Sequence, residues 1–136
     1  MDLKGIISIS GKAGLYKVAA QGRNNIIVQA LGDDRKFPIF STDKVSALED
    51  ISIYTYEEDM PLVDVYQKLA DFEDYKSSIN HKESGHKLRS RVTEFLPDYD
   101  EDRVYDGDLK KLFQWYNILV KENIIVKPEE GISEEE

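Results

Sequence analysis

The stretch of residues 14–31 constrains the fold more than any other part of the sequence. Its first half alternates along the chain, so that Tyr16 and Lys17 point to opposite faces of a strand. A Gly-Arg-Asn-Asn turn follows at residues 22–25, where glycine and asparagine tolerate the positive φ angles that tight turns need. Residues 26–31 begin with Ile-Ile-Val, which favours the pleated conformation. The stretch therefore predicts a β-hairpin.

Three more segments near the hairpin have strand character and are separated by glycine-rich or polar turns. The five strands are predicted at residues 6–9, 15–21, 26–31, 36–40 and 51–56. Because Pro38 cannot donate a ladder hydrogen bond, we expect its strand to lie at a sheet edge or to carry a bulge. Residues 41–50 lack a strand pattern and are expected to hold a single helical turn. Five short strands joined by tight turns predict a five-stranded SH3-like small β-barrel at residues 1–56.

The rest of the chain changes to the spacing of amphipathic helices. Three helices are predicted, beginning near Pro61, Ser84 and Asp106. We expect Asp59 to cap the first helix, Asp106 to cap the third, and Asn123 to end the third. The fold class is therefore α+β, with a three-helix domain at residues 59–124. Residues 125–136 are rich in glutamate and are predicted to be an acidic, disordered tail.

Charge and composition exclude several functional classes. The net charge is −9, of which residues 1–55 contribute +1 and residues 56–136 contribute −10. Such an acidic chain lacks the basic surface that general binding to phosphate backbones requires. The chain has no cysteine, which excludes disulfides, zinc–thiolate sites and a cysteine nucleophile. The first apolar run is too short for a signal-peptide core or a membrane span, so we expect a cytoplasmic protein.

Three patterns invite a chemical interpretation, and none fits its motif. The Gly-Lys pair at residues 11–12 lacks the spacing and the following Ser or Thr of a phosphate-binding loop. Residues 98–109 place four aspartates at calcium-loop positions, but Arg103 and Leu109 replace the required Gly and Glu, so a solvated acidic loop is favoured over a calcium site. The two histidines have no nearby carboxylate pattern for a metal site or a general base. We therefore predict no specific metal, no cofactor and no enzymatic activity.

Aromatic and basic side chains of the predicted strands, with the one tryptophan, are the candidate binding residues. They are Tyr16, Lys17, Arg23, Phe37, Tyr54 and Trp115. SH3-like barrels often bind peptides or nucleic acid through such a surface, although barrel core is the commoner role for aromatic residues in strands. Trp115 lies off the main apolar stripe of its helix, which favours packing between the two halves or a place in an interface. The basic residues between positions 82 and 91 either meet an acidic partner or form the solvated face of the second helix.

Several longer stretches carry a resemblance to a known family. They are residues 5–18 (Gly-Ile-Ile-Ser-Ile-Ser-Gly-Lys-Ala-Gly-Leu-Tyr-Lys-Val), 37–40 (Phe-Pro-Ile-Phe), 44–54 (Lys-Val-Ser-Ala-Leu-Glu-Asp-Ile-Ser-Ile-Tyr) and 112–119 (Leu-Phe-Gln-Trp-Tyr-Asn-Ile-Leu). Together they resemble a family of uncharacterised small two-part proteins from Bacteroides-type bacteria. The resemblance implies an N-terminal domain of unknown function followed by a helical one. It implies no established activity and no catalytic residues.

These observations lead to one functional expectation and one alternative. We expect a non-enzymatic cytoplasmic interaction or adaptor protein, which binds a protein partner or itself through the barrel or the helical half. The alternative is an RNA- or ribosome-associated factor that binds through the barrel, with the acidic half tuning the contact. Nucleic acid is the less favoured partner because of the net negative charge.

Overall fold

The computed structural model describes residues 3–40 and 42–127 and shows an α+β fold. The seven strands are β1 Ile6–Ile9, β2 Lys12–Gln21, β3 Ile26–Ala30, β4 Lys36–Ile39, β5 Val45–Ala47, β6 Ser52–Ile53 and β7 Met60–Pro61. The helices are α1 Leu62–Phe72, α2 Gly85–Phe95 and α3 Asp106–Lys121, and a 3₁₀ turn spans Leu48–Asp50. Five strands form one antiparallel sheet, and β6 and β7 form a separate pair before α1.

The five-stranded sheet is open and is not closed into a barrel. Its strands lie in the order β4-β3-β2-β1-β5, so β4 and β5 are the two edges. Within the described ranges no backbone pairing joins these edges, and the predicted closure into an SH3-like barrel is not seen. The prediction for Pro38 is confirmed, because it lies on edge strand β4 opposite Ile27 of β3.

The predicted fifth strand at residues 51–56 is shortened to Ser52–Ile53 and is not part of the five-stranded sheet. The strand that completes the sheet is β5, which pairs with β1 and lies in the segment expected to have no strand. Residues 52 and 53 instead pair with β7, and Thr55 forms an isolated bridge with Tyr99. Ile53 is buried against the helices. The apolar residues of this segment therefore pack in the core of the helical half and not in the sheet. A three-residue edge strand such as β5 leaves too short a pattern to be read from sequence.

The three helices lie where the apolar spacing placed them, with different caps. α1 follows Pro61 without the side-chain cap expected from Asp59. Ser84 caps α2, since its hydroxyl accepts a hydrogen bond from the Lys87 backbone N–H. Asp106 is the first residue of α3 and not its cap. Asn123 ends α3 as predicted, with a φ of 61° that allows the chain to leave the helix.

The apolar side chains form two clusters on opposite faces of the sheet. The larger cluster joins all three helices to Leu3, Ile6, Leu15 and Leu48. The smaller cluster lies on the other face and consists of Ile7, Ile9, Tyr16, Val28 and Ile39. Neighbouring residues of β1 and β2 therefore alternate between the clusters, as the two-residue period of a strand requires. Ile125 is buried in the larger cluster, whereas residues 128–136 of the predicted tail lie outside the described residues.

Candidate functional site

The helix-facing side of β1 and β5 changes from apolar to polar along the strands. Ile6 and Leu48 face the helices and belong to the larger core. The next cross-strand pair on that face is Ser8 and Ser46. After it come Ser10, whose N–H donates to the Lys44 carbonyl at 2.9 Å, and Lys44 itself. Because side chains on one face recur every two residues, hydroxyl and ammonium groups replace the core residues there.

A cleft opens where this polar part of the sheet faces α3. It consists of two cavities of about 260 and 370 Å³, which share Ser8, Ser46, Lys111 and Trp115. The first cavity extends toward Tyr54 and the start of α1. The second extends along the β1–β2 turn. We call the two cavities together the sheet–helix cleft. Their other lining residues are Ser10, Gly11, Lys12, Ala13, Gly14, Lys44, Ile9, Ile51, Ser52, Ile53, Leu62, Val104, Asp108, Leu112 and Gln114.

Trp115 lies at the centre of the sheet–helix cleft. The buried stripe of α3, with Leu112 and Tyr116, faces the core. Trp115 lies beside that stripe, is half-buried, and packs against the edge of the larger cluster. Its ring therefore lines both cavities between the helix and the sheet. An indole with one packed side and one open side is a common contact for peptide ligands.

Two lysines give the cleft a positive character on an acidic protein. Lys44 and Lys111 line it, and neither forms an ion pair with another described residue. Lys12 also lines the cleft, but its Nζ lies 5.0 Å from the centroid of the Phe37 ring, a cation–π contact on the side of the smaller cluster. The cleft has one carboxylate, Asp108, which accepts a hydrogen bond from the Tyr105 backbone N–H at 3.0 Å. The lysine ammonium groups and serine hydroxyls can therefore bind an anion without first breaking an internal ion pair.

Tyr54 closes one end of the cleft under a fixed cation. The Arg103 guanidinium carbon lies 4.2 Å from the centroid of the Tyr54 ring. Arg103 Nε also donates to Asp100 Oδ2 at 2.8 Å. This hydrogen bond is the main reason that the pKa of the Asp100 carboxyl is lowered. Tyr54 is consequently held by a charge pair from the loop before α3, and it is partly exposed where it lines the cleft.

The structure brings together two of the six predicted binding residues. Trp115 and Tyr54 line the same cavity. Tyr16, expected to be exposed, is buried: its hydroxyl donates to the Ala13 carbonyl at 2.7 Å. Its ring meets Phe37 edge-on at 5.4 Å between centroids, so both aromatics belong to the smaller cluster. Lys17 and Arg23 are exposed on other parts of the sheet and do not line the cleft.

Sequence reasoning missed the serines and lysines that face Trp115. Ser8 and Ser46 come from different strands, and their pairing depends on β5, which the sequence pattern did not reveal. One signal was present in the sequence. A strand that reads Ile-Ile-Ser-Ile-Ser has polar residues at alternate positions on a face that begins as core. That pattern indicates the point along the strand beyond which the helices no longer cover this face of the sheet.

The other charged segments have structural partners. Arg89 binds Asp106, and Arg91 binds Glu73, with N–O distances of 2.8 and 2.7 Å. The two arginines of α2 thus join the helices, whereas Lys87 is exposed and pairs with Glu83 of the preceding loop. Asp100 of the suspected calcium loop is bound to Arg103 in the same way. Among the residues that the structure describes, no three acidic or histidine side chains converge on a possible metal position.

Comparison with known proteins places the chain in a family. Residues 51–119 match the model of a domain of unknown function (DUF6852), and residues 3–48 match another (DUF5606). A solution NMR structure of a structural-genomics target from Bacteroides vulgatus is 44% identical, with a TM-score of 0.75. The match covers 90% of this chain and 89% of that one.

These matches confirm the resemblance seen in the sequence, and they assign no activity. No curated protein matches the chain. In the described part of the chain, every helix is too short or too polar to cross a bilayer. Both matching domains are of unknown function, so the function of the protein is unknown. The chain belongs to the DUF6852 family of domains of unknown function, with a DUF5606 domain before it.

Proposed function

We propose that the protein is a non-enzymatic interaction module that binds an extended acidic segment of a partner protein in the sheet–helix cleft. One observation carries the proposal: the half-buried Trp115 lies in the same cleft as Lys12, Lys44 and Lys111. The indole supplies apolar contact area, and the lysines supply charge-assisted hydrogen bonds to carboxylates. Residues 56–136 carry a net charge of −10, so these lysines offer a negatively charged segment less repulsion than most of the helical half does.

A protein ligand fits this cleft better than RNA does. RNA binding usually combines several stacking aromatics with a long basic surface that follows the backbone. Here Lys44 and Lys111 line the cleft with one indole, and residues 56–136, which include α3, carry a net charge of −10. An SH3-like curl of the sheet remains part of the proposal. It is supported by five short antiparallel strands, the last of which returns to pair with β1.

Peptide selection followed by fluorescence titration tests the proposal. A phage-displayed library of random peptides is selected on the protein, and the enriched peptides are titrated while the fluorescence of Trp115 is followed. Because the chain has one tryptophan, the signal comes from the cleft alone. We expect enrichment of Asp- and Glu-rich peptides. The double variant Lys44→Glu/Lys111→Glu is expected to weaken binding at least about tenfold, as loss of two close charge pairs would.

A charge-matched variant distinguishes the effect of the cleft lysines on binding from the effect of net charge. Lys17→Glu/Lys36→Glu changes the net charge equally at positions outside the cleft, and it should leave the titration nearly unchanged. Equal weakening by both double variants would contradict the cleft assignment. Enrichment of basic peptides, or none, would contradict the ligand class. Tight binding of single-stranded RNA that falls steeply with salt would support the alternative function.

A further inference from the structure

A second groove lies on the face of the sheet that points away from the helices. Its floor is formed by Ile7 and Ile39 of the smaller cluster, both buried. Its walls carry three large apolar side chains that are unusually exposed, namely Val18 at 51%, Phe40 at 52% and Val45 at 41%. The groove has a volume of about 710 Å³ and lies between the strands at the two sheet edges. We call it the open-face groove.

The open-face groove has the features of an interaction surface. Exposed apolar side chains that stand together on an otherwise charged protein usually mark a contact with another molecule. Edge strands with unpaired backbone groups are also sites of association. Here both features coincide, because Val45 belongs to edge strand β5 and Ile39 to edge strand β4. None of the cleft lysines lines this groove, so the two surfaces are distinct.

The rim of the groove carries both signs of charge. Arg23 lies in the turn between β2 and β3, and Asp43 lies in the turn before β5. Neither forms an ion pair with another described residue. Asp43 is fixed next to Phe40, since its Oδ2 accepts the Phe40 backbone N–H at 2.8 Å and its own N–H donates to the Phe40 carbonyl at 2.9 Å. A uniformly acidic or basic partner would satisfy only one of these two charges.

A second copy of the chain carries the same exposed apolar side chains together with both charges. A twofold contact places one surface patch against its own copy, so the patch must contain both a projecting side chain and a recess. We infer that the open-face groove is a self-association surface, in which Phe40 of each copy enters the groove of the other and Arg23 faces Asp43. Such a contact covers the exposed apolar walls and pairs both charges. It is independent of the proposed cleft function.

Sedimentation velocity over a range of protein concentrations up to about 1 mM tests this inference. The wild-type chain should convert from monomer to dimer as concentration rises. Phe40→Ala removes the projecting side chain and should raise the dimer Kd at least about tenfold, as truncation of a central aromatic anchor does. Tyr56→Ala is the matched control, because Tyr56 is 60% exposed but does not line the groove. Its dimer Kd should stay within about twofold of the wild-type value.

Charge reversal tests the pairing across the twofold axis. Arg23→Asp should weaken the dimer, whereas Arg23→Lys, which keeps the positive charge opposite Asp43, should weaken it much less. Backbone NMR shifts of the wild-type chain on dilution provide a measurement without mutation, and the largest changes should fall at Val18, Phe40 and Val45. A wild-type chain that stays monomeric at the highest concentration would overturn the inference. So would a dimer that Phe40→Ala and Tyr56→Ala weaken equally.

Discussion

Two buried tyrosines should respond in opposite ways to the loss of a hydroxyl. Both rings are buried in the larger core. Tyr66 Oη donates to the Leu112 carbonyl at 2.8 Å, whereas Tyr99 Oη is buried without a hydrogen-bond partner among the described residues. The Arg89 guanidinium lies close to Tyr99, and its pKa is raised partly by that hydroxyl, but the two groups lack the geometry of a hydrogen bond. The change from tyrosine to phenylalanine removes the same atom from both sites.

The magnitudes follow from the two environments. Tyr66→Phe loses a net hydrogen bond, worth about 1 kcal/mol, and the Leu112 carbonyl stays inside helix α3 where a backbone donor remains. Tyr99→Phe removes a buried hydroxyl that has lost its hydration, so the free energy of unfolding should rise by up to about 1 kcal/mol. For a chain of this length each kcal/mol shifts the midpoint of thermal unfolding by about 4 °C.

Chemical and thermal unfolding of the two variants, followed by circular dichroism, measures the difference. We expect the midpoint of Tyr66→Phe to fall and that of Tyr99→Phe to stay or rise, with unchanged denaturant slopes. A loss above about 1 kcal/mol in Tyr99→Phe would refute the reasoning. It would mean that in solution Arg89 donates a hydrogen bond to the Tyr99 hydroxyl, or that a buried water forms one with it.

Two further predictions concern a surface ion pair and a glycine turn. The Arg103 pair lowers the pKa of Asp100 below 3.8, so its stabilisation is present above that pH and is lost as pH falls. Arg103→Gln should therefore lower the melting temperature more near neutral pH than in strong acid, where only the cation–π contact with Tyr54 is lost. An equal difference from wild type at both pH values would contradict this. Gly32 and Gly11 have φ angles of 82° and 84°, yet a Cβ at Gly32 would lie 2.7 Å from Glu122 Oε2. Because that oxygen is the far end of a flexible side chain and can move aside, Gly32→Ala and Gly11→Ala should destabilise by similar amounts in urea unfolding, through the positive φ alone. A much larger loss in Gly32→Ala than in Gly11→Ala would contradict this.

The helical half was the easier part to predict from sequence. The buried stripe of α3 and the Ser84 cap of α2 depend on residues within one or two turns, which a sequence window contains. The sheet depends on pairing between distant residues. β5 is three residues long and is defined by its partner β1, about 38 residues earlier in the chain. The alternating isoleucines at residues 51 and 53 therefore suggested a strand of the sheet, although Ile53 packs under the helices.

The candidate site was predictable only in its aromatic residues. Trp115 was expected between the two halves because it lies beside the apolar stripe of its helix, and the structure places it there. Lys44 and Lys111 come from a loop and a helix that meet only in the folded chain. Tyr16, a candidate binding residue from the sequence, is buried because its strand has apolar clusters on both faces. The two-residue period of a strand predicts which side chains share a face of the sheet, but it does not predict which face is covered by other parts of the chain.

The boundary between the two matching domains falls within a single hydrophobic core. One domain ends at residue 48 and the other begins at residue 51, which brackets the end of the 3₁₀ turn. Leu48, Ile6 and Leu15 belong to the first domain by sequence and pack with the helices of the second. A fragment cut there would expose these side chains to water, at about 2 kcal/mol for each. Two regions that match separate family models thus share one hydrophobic core, and a change in one must be accommodated by the other.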